Sequence, residues 1–120
     1  MDATQVYYYG VSLGGIQGSA YVPLSRNISR AVMAVPGGSW SNILPRSRVY
    51  APIKTFFDAT YPDQLVQAQF ISLLQGRFDH ADPVNLATML LHSPPPMAPP
   101  TRRVLLQESC LLYTSDAADE

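Results

Sequence analysis

Val6-Tyr7-Tyr8-Tyr9-Gly10-Val11-Ser12-Leu13-Gly14-Gly15 passes from an apolar, aromatic run into glycine and serine. Val6 to Tyr9 opens on a β-branched residue and stops at Gly10. A run this short and this apolar suits a buried parallel strand, which needs apolar character on both faces. From Leu13 onward the apolar positions Leu13, Ile16, Ala20 and Leu24 recur at helical spacing. That pattern predicts a helix beginning around Ser12 and ended or kinked at Pro23. Ala31 to Val35 is a second wholly apolar run of strand length, closed by the turn residues Pro36-Gly37-Gly38. Strand, helix, strand in this order is a βαβ unit, and it predicts an α/β protein with a parallel sheet.

Working outward, the texture changes beyond Trp40. Val49 to Thr60 and Pro62 to Phe78 read as helices, with Pro62 in the first turn of the second, where its missing N–H costs nothing. Asp82 is a good N-cap, Pro83 fits the position after it, and Val84 to Leu91 completes about two turns. Ser93 to Thr101 is proline-rich and predicts an extended connection. Val104 to Gln107 reads as a third strand.

Composition bounds the function. The chain has 120 residues, 47% hydrophobic and 14% charged, against about 25% charged in a typical soluble protein. Such a chain buries surface and amounts to about one domain. Its net charge is -1 and its arginines are scattered, which excludes the basic footprint of a nucleic-acid binder. No apolar run reaches the ~18 residues of a transmembrane helix, and the start lacks a signal-peptide pattern. The single cysteine, Cys110, excludes a disulfide framework and a cysteine-rich zinc site. No cofactor and no metal are expected.

Gly10-Val11-Ser12-Leu13-Gly14 fits G-x-S-x-G, a nucleophile elbow. The serine of such an elbow stands in a sharp, strained turn between strand and helix. The flanking glycines, here Gly10 and Gly14 with Gly15 behind, let neighbouring backbone approach. The turn lifts the Ser12 hydroxyl clear of the sheet and leaves the Leu13 N–H aimed at a developing oxyanion, aided by the helix dipole. A structural glycine-rich turn is the competing interpretation. Two other motifs fail. Ser12 occupies the middle glycine of a dinucleotide fingerprint, and the segment has no lysine for a phosphate-binding P-loop.

The segment Tyr7-Tyr8-Tyr9-Gly10-Val11-Ser12-Leu13-Gly14-Gly15 resembles the elbow of the α/β-hydrolase superfamily. Val35-Pro36-Gly37-Gly38-Ser39-Trp40 and Asp82-Pro83-Val84-Asn85, followed by Val104 to Ser109, resemble a bacterial branch of it. The resemblance covers about Val6 to Ser109. It implies that Val6–Tyr9 is the fifth strand of a parallel sheet, Ala31–Val35 the sixth and Val104–Gln107 the seventh. Helices between about residues 41 and 92 would form a cap inserted before the seventh strand. It implies a serine hydrolase working through an acyl-enzyme on Ser12, with a small-molecule carboxylic ester, lipid or other acyl substrate. A prolyl-peptidase-type peptidase and a non-catalytic, ligand-binding relative are the alternatives. The family's acid follows the seventh strand and its histidine the eighth, so both are expected outside residues 1–109, as are strands one to four.

The remaining candidates are weaker. Cys110 to Glu120 (CLLYTSDAADE) resembles the translation of a sequencing-library adapter and is set apart from the fold, which removes Asp116 as a catalytic acid. His80, beside Asp79 and Asp82, is a candidate base but breaks the serine, acid, histidine order of this fold; a polar helix-end role suits it better. His92 reads as a helix-end cation. Asp58, Asp63, Asp79 and Asp82 read as caps and solvated faces. Trp40, with Tyr50, Phe56, Phe57 and Tyr61, lines either a substrate pocket or the cap's own core, the second being favoured. Gly37 and Gly38 stand at a pocket rim, at the carboxyl edge of the sheet where such folds bind ligands.

Overall fold

The computed structural model describes residues 5–47 and 50–108. The tail beginning at Cys110 and the expected helix start at Val49 lie outside them. Three strands form one parallel sheet in the order β1 (Val6–Val11), β2 (Ile28–Ala34), β3 (Arg103–Gln107). An α/β class follows directly. The register sets Tyr8 beside Ala31 and Val104, and Tyr9 beside Val32 and Leu105.

One face of the sheet carries the core. Side chains alternate across a strand, so Ala31 and Met33 of β2 share a face with Tyr8 and Val104. There they pack with Val22 and Leu90, joined by Ile28 from the start of β2. The helix α1 (Leu13–Leu24) connects β1 to β2 and lies on the sheet, and the short helices α5 (Pro83–Leu86) and α6 (Thr88–Leu91) pack against α1. Arg102, just before β3, ties the unit together. Its guanidinium donates to the carbonyls of Ser25 (2.8 Å), Pro23 (3.2 Å) and Ile28 (3.3 Å). Burial lowers the pKa of this guanidinium. A cation at the C-terminal end of α1 suits the helix dipole.

Among the described residues, those up to Gly37 and those from Pro83 onward form this first compact unit, and those between Gly38 and Asp82 form a second. The second contains α2 (Trp40–Arg46), α3 (Ala51–Thr60) and α4 (Gln64–Phe78), followed by a 3-10 turn at Asp79–Ala81. The expected cap therefore divides: its helices through Phe78 are a unit of their own, while α5 and α6 belong with the sheet. Within the second unit, Phe57, Tyr61 and Phe70 cluster with ring centroids 5.1–5.7 Å apart. Trp40 packs on Phe78 at 6.0 Å.

Several local expectations change. β1 is an edge strand: Tyr9 is 71% exposed and Val6, Tyr7 and Val11 are exposed too, because β2 is its one partner among the described residues. α1 does not bury the periodic face of Leu13, Ile16, Ala20 and Leu24. It buries Gly15, Gly18, Ser19, Val22 and Pro23, since small residues let helix and sheet approach closely. Pro23 lies inside the last turn, one residue before α1 ends. Pro62 precedes α4 instead of opening it; Asp63 is the N-cap, accepting from the Leu65 N–H at 2.8 Å. α2, with Pro45 inside it, lies ahead of the first helix that periodicity marks.

Candidate active site

The β1–α1 junction is built from Gly10, Ser12, Leu13, Gly14 and Gly15, and it brings all five together. Ser12 stands between strand and helix at φ 55°, ψ -119°, a conformation that L-residues rarely adopt. Such strain costs on the order of 1–3 kcal/mol and persists only where the surroundings enforce it. The surroundings do so here. The Ser12 N–H donates to the Ala34 carbonyl at 3.0 Å, and the Ser12 carbonyl accepts from the Ile16 N–H at 2.9 Å. The Ser12 side chain is exposed and makes no capping bond to the helix. Its hydroxyl therefore stands free of the helix that its backbone begins.

Glycine is required by close approach at two of the positions. A Cβ on Gly10 would collide with the Gly14 carbonyl, and one on Gly15 would stand 2.6 Å from the Ala34 oxygen. Gly14 differs: a Cβ there meets nothing within 4 Å. The crowding of the motif thus falls on Gly10 and Gly15, not on the glycine that completes G-x-S-x-G.

Tyr8 organises the junction from below. Its phenol donates to the Gly14 carbonyl at 2.7 Å, and its ring fills the space that side chains at Gly10 and Gly18 would need. The available signal was the pair Gly15 and Gly18, three residues apart in α1, which marks a small-residue stripe on one helix face.

The electrostatics favour an anion above the serine. Leu13 is the first residue of α1, so its N–H has no carbonyl one turn back to pair with. No acidic residue in the first turn offsets the positive end of the helix dipole.

The other candidates sit as follows. Gly37 ends a stretch of the first unit, while Gly38 and Trp40 belong to the second. His80 is exposed in the 3-10 turn, and His92 is the exposed C-cap of α6. Asp58 pairs with Lys54 along α3. Asp79 accepts from the Gln75 side chain. Asp82 is fully buried and accepts from the N–H groups of Ser39 (2.8 Å) and Trp40 (3.0 Å) and from the Gln75 amide (2.8 Å). It thus caps α2. Among the described residues no group of three His, Cys, Asp or Glu side chains could hold a metal ion, and no helix is long and apolar enough to cross a membrane. A shallow cavity of about 370 Å³ lies on the sheet at Tyr7, Arg30, Val32, Arg103 and Leu105, with the Arg30 guanidinium 5.5 Å from the Tyr7 ring centroid.

Comparison with protein-family models, curated proteins and solved structures finds no match to this chain.

Proposed function

We propose that this chain carries the nucleophile elbow of a serine hydrolase of the α/β-hydrolase superfamily, acting on carboxylic esters or lipids. One observation carries the reading. Ser12 is a non-glycine residue held at positive φ between a parallel strand and a helix, with its hydroxyl exposed and unengaged by the helix. A turn serving only to connect the two elements would be less strained with glycine at this position, so strain on a serine points to use of its side chain.

In this reading the Ser12 oxygen attacks the substrate carbonyl carbon. The Leu13 N–H donates to the oxygen that becomes negative, and the leaving alcohol departs to give an acyl-serine that water then hydrolyses. A histidine–carboxylate pair, expected beyond β3 by the resemblance, takes the hydroxyl proton and returns it to the leaving group. The helices of residues 38–82 would be the inserted cap.

The test is covalent labelling of the full-length protein with a fluorophosphonate probe. Labelling should map to Ser12 and vanish in Ser12→Ala. Labelling that survives the substitution removes Ser12 from the reaction.

A further inference from the structure

We infer that Val35 is a positioning residue for Ser12: its backbone locks the Ala34–Val35 peptide between β3 and the elbow, and this peptide holds the serine in its strained conformation. The inference rests on the reading of Ser12 as nucleophile and adds the element that keeps it in place.

Val35 has φ 53°. Positive φ is a genuine outlier for a β-branched residue, and a residue before proline is driven towards extended backbone besides. Val35 meets both objections, since Pro36 follows it. The two ends of one peptide unit show what the strain achieves. The Ala34 carbonyl accepts the Ser12 N–H at 3.0 Å, and the Val35 N–H on the same peptide donates to the Gln107 carbonyl of β3 at 2.6 Å. This peptide therefore bridges the elbow to the far strand of the sheet. The positive φ acts at the next bond. It lets the chain leave the sheet towards Pro36 while the peptide stays in the hydrogen-bonded plane. The turn it makes lies against α1, where a Cβ on Gly15 would stand 2.6 Å from the Ala34 oxygen and 3.3 Å from the Pro36 nitrogen. Two strained residues, Ser12 and Val35, thus hold each other through one carbonyl.

Two readouts on the full-length protein test this: residue-resolved amide exchange at Ser12 and the rate of fluorophosphonate labelling. Val35→Pro has no N–H and cannot take positive φ; Val35→Gly keeps both capacities. Val35→Pro should speed exchange at Ser12 at least tenfold relative to Val22 in the same helix, and slow labelling by a similar factor. Val35→Gly should leave both near the parent values. If Val35→Pro does not fold, Gly15→Ala, which pushes on the Ala34 oxygen, should give the same selective losses. Equal acceleration at Ser12 and Val22 would reduce Val35 to a general stabiliser and overturn the inference. So would losses in Val35→Gly that match those in Val35→Pro. A parent protein that resists labelling while its Ser12 amide depends on Val35 would sink the nucleophile reading alone.

Discussion

Ser12 holds its backbone at φ 55° and makes no capping bond with its side chain, so the fold gains nothing from a serine there. Glycine populates positive φ freely. Ser12→Gly should therefore raise stability by about 1 kcal/mol, the lower end of what such strain costs, read as a shift of the urea midpoint. A drop in stability would mean that the hydroxyl supports the turn. The glycines around it divide by the space they occupy. Gly10→Ala drives a methyl into the Gly14 carbonyl and should cost about 1–3 kcal/mol, as overpacking does. Gly14→Ala meets open space inside a helix and should stabilise by up to about 1 kcal/mol. Equal effects of the two substitutions in thermal unfolding would contradict this division. The motif treats Gly10 and Gly14 as alike, because its spacing carries no record of what lies next to each.

Among the elements, α2 shows why a helix can escape sequence reading. Trp40 to Arg46 is short and contains Pro45, so neither propensity nor periodicity marks it. Its N-terminus is satisfied from far along the chain, by the buried Asp82 carboxylate that accepts the Ser39 and Trp40 N–H groups. Asp82→Ala leaves both donors and the Gln75 amide without this acceptor. It should cost about 2–3 kcal/mol, with the loss of helical signal concentrated in residues 38–82. A change below about 0.5 kcal/mol in urea unfolding would show that water replaces the carboxylate. The aspartate was legible as a cap for the helix after it. Its capping of a helix some forty residues earlier depends on a tertiary approach that local sequence does not encode. α1 makes the same point about faces. Its start at Ser12 was legible from the motif, but Leu13 and Leu24, which looked like core, stay exposed while Gly15, Gly18 and Ser19 are buried.

At the scale of the molecule, the face of the sheet away from α1 is exposed among the described residues. Tyr7, Tyr9 and Val11 of β1 share that face with Leu105 of β3, and all are about half exposed or more. Parallel sheets are ordinarily covered on both faces. The outer edge of β1 also presents a row of backbone groups suited to pairing with another chain. A few hundred Å² of such surface, at roughly 25 cal/mol per Å², amounts to several kcal/mol, comparable with the net stability of a domain. The 120-residue chain alone should therefore self-associate or form a molten state that binds a hydrophobic dye, and show no ester hydrolysis above a Ser12→Ala control. Sedimentation of a monomer with a sharp thermal transition and Ser12-dependent turnover would refute this.

The sequence by itself determined the order of strand, glycine-rich turn, helix and strand. Each of those signals is local: an apolar run ended by glycine, a serine at a fixed offset, a turn of proline and glycine. Only the tertiary structure decided which sides are covered and which residues hold the elbow. Burial depends on what packs against a strand, so the same apolar run that promised an interior β1 stands at an edge. The Ala34–Val35 peptide acts through backbone atoms common to every residue, and Val35 looked like the last residue of a strand. Nothing in its side chain announces a positive φ, because that angle is imposed by hydrogen bonds to Ser12 and Gln107, partners brought together by the sheet.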